Sequence, residues 1–171
     1  MPEGSSVARL YLVGEAPGRR EAESGRPFVG PAGQALREML GEAGIDASSV
    51  RLANAIPYRP IERSRTGSRN RTPSANELRT LGRYALGDIA KVQPSFIGAL
   101  GKSAAKLFGA SGSVEEVRGR RFSFRGIPVG VTYHPSFVLR FGARGSELWR
   151  SAVADLGRFW RAAQSERSEA D

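Results

Sequence analysis

Gly14 to Gly33, GEAPGRREAESGRPFVGPAG, decides how this chain is read. A short apolar run, Ala8 to Val13, precedes it, and an amphipathic segment beginning near Gln34 follows. The order is strand, long Gly/Pro-rich loop, helix. A loop of this length with no periodicity of its own is uncommon in a compact domain unless it binds something.

Outward from that loop, strand and helix signals alternate. Gln34 to Ala43 places Leu36, Met39, Leu40 and Ala43 on one face, and Gly44 follows where a left-handed residue would end a helix. Val50 to Ile56 is a mixed apolar run that ends in Asn54 and Pro57, a second strand opening into an arginine-rich loop. Ser74 and Glu77 form a capping box ahead of Leu78, Leu81, Ala85, Ile89 and Val92, which predicts a helix to about Gln93, stopped by Pro94. Phe96 to Leu100 is a continuous apolar run of the kind found in parallel strands covered on both faces. Gly101 leads into a short helix ending near Gly109, Val114 to Phe124 suggests a hairpin, and Ile127 to Thr132 is the last strand. From Ser146 a final helix turns Trp149, Ala152, Val153, Leu156 and Trp160 inward, and residues 163–171 are expected to be a disordered tail.

Alternating strands and helices predict a single α/β domain: an open, mostly parallel four-stranded sheet flanked by helices on both faces. Ligands of such folds sit outside the carboxyl ends of the strands. GEAPG, the Asn54 turn and the YHPS segment at Tyr133 to Ser136 leave those ends, so they should converge.

Composition narrows the classes. A chain of 171 residues can bury a core without staples, and with no cysteine it can form neither a disulfide, a thiolate nucleophile nor a cysteine-held iron–sulfur cluster. No apolar segment approaches ~20 residues, so a soluble, cytoplasmic protein with no membrane partner is expected. Twenty-six basic residues against seventeen acidic give a net charge of +9. All but Lys91, Lys102 and Lys106 are arginines, whose forked guanidinium suits phosphate. They bunch: Arg59, Arg63, Arg65, Arg69 and Arg71 share one loop, and Arg118, Arg120, Arg121 and Arg125 another. Such runs read as a polyanion-facing surface.

Several motifs in order carry a resemblance. Gly14-Glu15-Ala16-Pro17-Gly18, Glu21, Gly25-Arg26-Pro27-Phe28-Val29-Gly30, Asn54, Arg71-Thr72-Pro73 and His134-Pro135-Ser136 together resemble the uracil-DNA glycosylase superfamily, most closely its family 4 branch. The resemblance spans roughly Tyr11 to Arg140 and implies a monomeric repair enzyme. Such an enzyme flips uracil out of single- or double-stranded DNA and hydrolyses the N-glycosidic bond. Extrusion costs a few kcal/mol that DNA contacts must supply. The five arginines of the first loop would grip phosphates, and Val138, Leu139 and Arg140 would enter the gap left by the base.

Within the pocket the resemblance implies a division of labour. Gly14, Ala16 and Ser136 would line it, and Phe28 would stack on uracil. Asn54 would pair with N3–H and O4, which cytosine presents in reverse. His134, the only histidine, would donate to O2 as charge develops on the leaving base. A carboxylate beside an oxocarbenium-like sugar favours cleavage, and Glu15 is assigned that role or water placement, with Glu21 as support.

There are departures from the pattern. Family 4 enzymes hold a four-cysteine [4Fe–4S] cluster, and here two of the corresponding positions are Tyr58 and Leu81. No cofactor and no metal are therefore expected, with packing by Tyr58 and Leu81 as the tether instead. The basic loop resembles that of the family X branch, whose members trap the sugar on a histidine. Asn70 or a neighbouring arginine stands there, which implies turnover rather than trapping. Action on another deaminated base such as hypoxanthine, or binding of uracil-containing DNA without catalysis or with covalent trapping, stays open. A dinucleotide-binding loop fits poorly, because GEAPGRREAESG is not G-x-G-x-x-G and carries acids where phosphate would lie.

Overall fold

The computed structural model describes residues 1–165. Of the tail expected to be disordered, residues 163–165 instead end an ordered helix, with Ala163 buried, and residues 166–171 lie outside the described residues. In chain order the first half comprises β1 (Glu3–Gly4), β2 (Leu10–Gly14), α1 (Arg19–Ser24), α2 (Pro31–Glu42), β3 (Arg51–Asn54), β4 (Ile61–Ser64) and β5 (Gly67–Asn70). The second half comprises α3 (Ala75–Leu81), α4 (Arg83–Val92), β6 (Phe96–Leu100), α5 (Lys102–Leu107), α6 (Val114–Val117), β7 (Phe122–Phe124), β8 (Ile127–Thr132), α7 (Pro135–Phe141) and α8 (Glu147–Ser165).

The main sheet runs β1-β3-β2-β6-β8-β7. Its inner four strands are mutually parallel, and these are the four expected from their apolar runs. Two short antiparallel edges, β1 and β7, make it six-stranded. The chain steps from β2 outward to β3 and then returns past β2 to β6, so the strand order reverses between β2 and β6. A crevice opens at such a switch point, outside the carboxyl ends.

Side-chain alternation along the parallel strands feeds two cores. Leu10, Leu12, Leu52 and Leu100 pack with Leu36, Met39 and Leu40 of α2 and with Trp149, Leu156 and Phe159 of α8. Tyr11, Val13, Ala53, Ile97, Ala99, Val129 and Val131 face Leu78, Ile89, Ala104 and Phe108 on the other side. Gly98 and Gly130 are register partners in β6 and β8, and a methyl added to either would fall within 3.0 Å of the Phe159 ring. This glycine hollow sets how closely α8 lies on the sheet.

Three expectations need correction. The helix predicted from Ser74 to Gln93 is interrupted at Gly82, where a Cβ would come within 2.3 Å of Leu107 and 2.4 Å of the Leu78 carbonyl. Close approach of α5 requires glycine there, and glycine weakens a helix. The hairpin expected within 114–124 is instead a capped turn of helix, α6, followed by β7. The hairpin lies between β7 and β8, through Arg125 and Gly126, both left-handed as such a turn demands. The arginine loop is itself an antiparallel hairpin, β4–β5.

Two polar networks pin the strands. Tyr11 donates to Asp88 (2.6 Å), which also takes two bonds from Arg51, tying β2 and β3 to α4. Burial and the Asp88 carboxylate push the Tyr11 phenol far above its ordinary range. Asp155 of α8, fully buried, accepts from Thr132 at the end of β8 (2.7 Å), from Arg118 (2.5 Å) and from Arg158.

Candidate functional site

A cleft of about 810 Å³ lies at the carboxyl ends of the parallel strands. Glu15, Ala16, Glu21, Phe28, Asn54, His134 and Ser136 all line it, so the three segments expected to converge do so. Gly14 sits at their meeting point. A Cβ there would lie 2.5 Å from Phe28 Cζ and 2.8 Å from Asn54 Oδ1, so the ring and the amide close on a position only glycine can occupy. Gly14→Ala is expected to displace both groups and to destabilise the fold by about 1–3 kcal/mol, the usual cost of overpacking, read as a lowered melting temperature.

Phe28 is buried and has a φ of 54°, unusual for a non-glycine residue and a sign of a locally strained loop. Arg37 of α2 holds its carbonyl at 2.5 Å. Gly33 lets the first turn of α2 press against the Phe28 backbone, 1.7 Å from the position a Cβ would take. The Phe28 and His134 rings lie 6.3 Å apart at 27°. Glu21, on the short helix α1 that the Gly/Pro composition hid, accepts from the Gly30 N–H at 3.3 Å. It braces the two ends of the loop's second half.

His134 caps α7. Its Nδ1 accepts from the Ser136 N–H at 3.2 Å, with Ser136 Oγ at 2.6 Å. The proton of the neutral ring therefore belongs on Nε2. Burial holds the imidazole down to about 4, so the ring is neutral at physiological pH.

Glu15 leaves β2 and accepts from Ser103 Oγ at 2.6 Å. Ser103 is buried on α5, just after β6, so this bond spans the switch point. Ser103 was not among the expected residues. The rule that selected the other segments could have found it, because Gly101 to Ser103 is the fourth carboxyl-end exit.

The DNA-facing expectations divide. Arg71, Leu139 and Arg140 line the cleft. Arg59 bonds Asn70 at 2.6 Å, and Asn70 too reaches the cleft wall. Arg63, Arg65 and Arg69 lie on the exposed hairpin, with Arg69 paired to Glu62 at 2.8 Å. Val138 is wrongly assigned: it is fully buried against the α2–α8 core and cannot enter DNA. The proposed tether is also different. Leu81 does pack on the core, but Tyr58 is 41 % exposed and acts through its hydroxyl, which donates to Glu77. Arg71 grips the same carboxylate with two bonds of 2.7 Å, and these partners hold Glu77 far below the usual carboxylate range. A polar clasp joins the segment after β3 to α3. With no cysteine anywhere, this chain does not fit a cysteine-held [4Fe–4S] cluster. Among the described residues no group of three or more His, Asp or Glu could hold a metal ion, and no helix is long and apolar enough to cross a membrane.

The open parallel sheet thus gathers an aromatic ring, an amide, a neutral imidazole and a carboxylate around one basic-rimmed cleft. Residues 1–157 match the model of the uracil DNA glycosylase superfamily. The chain is 38 % identical over 157 residues to the type-4 uracil-DNA glycosylase of Thermotoga maritima, covering 90 % of this chain and 77 % of that one. It is 36 % identical over 164 residues to the type-4 enzyme of Pyrobaculum aerophilum (91 % and 80 %) and 33 % identical over 145 to that of Archaeoglobus fulgidus (80 % and 69 %). The chain belongs to the uracil DNA glycosylase superfamily.

Proposed function

We propose that this protein is a monomeric uracil-DNA glycosylase of the type-4 kind that works without an iron–sulfur cluster. The observation that carries this reading is the convergence of Phe28, Asn54, Glu15 and His134 on one cleft. A flipped uracil stacks on Phe28, and the Asn54 amide pairs with N3–H and O4, the pattern cytosine reverses. As the bond between C1′ and N1 breaks, its electron pair moves onto the base, and the Nε2–H of His134 donates to the charge growing on O2. The sugar becomes cationic, and the Glu15 carboxylate, oriented by Ser103, stabilises it and places water. Water adds hydroxide to C1′, and its proton leaves with the uracil, giving an abasic site. Glu21 holds the loop. Arg71, Arg140 and the hairpin arginines take phosphates, and Leu139 is the remaining apolar wedge.

The test is a uracil-containing oligonucleotide incubated with the protein and then treated with alkali, run beside hypoxanthine, xanthine, thymine and cytosine. Cleavage at uracil supports the reading. An intact but retarded strand marks a binder without catalysis, and cleavage at hypoxanthine alone reassigns the base.

The neutral imidazole makes a second expectation. A histidine folded-state value lowered to about 4 means the folded protein resists protonation that the unfolded chain accepts below 6.5. The stability linked to His134 is therefore full above pH 6.5 and drains away as pH falls toward 4. The histidine-dependent limb of the single-turnover rate is expected near pH 4, with no break at 6.5. A rate that halves near pH 6.5 and is restored to a flat profile in a His134 variant would sink the neutral-donor assignment.

A further inference from the structure

The outer face of α7 carries apolar surface that the excision chemistry above does not use. Phe137 and Phe141, four residues apart, share that face, and Tyr133, just ahead of the helix and partly buried against the α2–α8 core, lies beside Phe137. The rings of Tyr133 and Phe137 are parallel within 8°, 5.8 Å between centroids, and Phe137 and Phe141 are 4.7 Å apart. Phe137 is 40 % and Phe141 63 % exposed. Cations interleave with them: Arg118 lies 5.3 Å from the Tyr133 centroid and Arg140 5.2 Å from that of Phe141. A recess of about 340 Å³, lined by Tyr133, Phe137, Lys102, Ser113 and Glu115, shares Glu15, His134 and Ser136 with the base cleft. It is roomy enough for a nucleobase and continuous with the cleft.

We propose that Tyr133, Phe137 and Phe141 form a stacking subsite for the unpaired bases flanking a target uracil, which makes the protein faster on single-stranded than on duplex DNA. Bases have π faces on both sides, and aromatic shelves with nearby arginines hold them without regard to sequence. In a duplex the flanking bases are already stacked and paired, and the shelf finds nothing to hold. The proposal rests on reading the cleft as the uracil site.

The experiment uses single-stranded oligonucleotides in which the neighbour of uracil, on the 5′ or the 3′ side, is either a normal base or an abasic spacer. In the wild type, removing the base on one side should lower the second-order excision rate about 5–20-fold, within what stacking of one base supplies. Phe137→Ala should show that loss already with the intact strand and no further loss with the spacer, and Phe137→Tyr should behave as wild type. A 2-aminopurine beside the uracil should be quenched on binding the wild type and not Phe137→Ala, a readout independent of turnover. A thermal melt confirms that each variant is folded. Equal spacer penalties in wild type and Phe137→Ala, or none in either, overturn the subsite. So does self-association that Phe137→Ala abolishes while the spacer penalty persists, since the shelf would then be a protein contact. A wild type that excises uracil from no strand fails the uracil reading instead, and the quench still reports on the shelf.

Discussion

His134→Ala is expected to lower the single-turnover rate of uracil excision by at least about two decades while leaving the protein folded. The rate loss follows from removing a preorganised donor aimed at developing charge, which typically costs ~3–4 kcal/mol. The structural loss is smaller. His134 also caps α7 through the Ser136 N–H, and a lost cap costs about 1 kcal/mol. His134→Asn separates the two roles, since its side-chain oxygen can still accept from Ser136 while its shorter amide does not reproduce the imidazole Nε2–H. Asparagine should therefore recover the melting temperature and not the rate. A near-wild-type rate in either variant would overturn the assignment of His134.

Glu15→Gln is expected to cost a comparable factor, at least about a hundredfold, and Glu21→Gln no more than about tenfold. The two carboxylates share a cleft but have different neighbours. Glu15 is held from across the switch point by the buried Ser103 hydroxyl, whereas Glu21 serves the backbone of its own loop at Gly30. Glutamine keeps the size of each side chain and removes the charge. A sugar cation would feel that loss at Glu15, and a backbone N–H at Glu21 would still find an amide oxygen. Matched single-turnover assays with melting curves decide it. If Glu21→Gln loses the greater share of the rate at unchanged stability, the two roles are exchanged.

Much of the fold was legible because parallel strands covered on both faces are short continuous apolar runs, and four such runs are present in this chain. The rule that ligands gather outside carboxyl ends brings the segments of Glu15, Asn54 and His134 together from sequence alone. What stayed hidden has local causes. α1 lies in a loop whose glycines and prolines argue against helix, and its six residues bury no side chain, so no apolar stripe announces it. In α7 apolar residues occupy both faces: Pro135 and Val138 turn inward while Phe137 and Phe141 face out. Periodicity cannot rank two apolar stripes on a two-turn helix, and Val138 was therefore placed on the wrong side. Ser103 is legible only as part of the fourth carboxyl-end exit, because what its hydroxyl does depends on a partner 88 residues away. Tyr58 is a phenol whose use, packing or donating, depends on whether Glu77 lies within reach.

The cluster around Asp155 bears on how the molecule comes into being. Ribosomal synthesis delivers the amino-terminal half first. β2, with its Gly14 loop, and β3, with Asn54, can meet early. The tip of β8, from which the histidine segment departs, is tied through Thr132 to a carboxylate on α8. That carboxylate emerges 23 residues later and must be buried together with the guanidiniums of Arg118 and Arg158. A nascent chain that has completed every strand of the sheet thus still lacks the anchor beside its histidine. The last helix therefore completes the anchoring of the segment that carries His134.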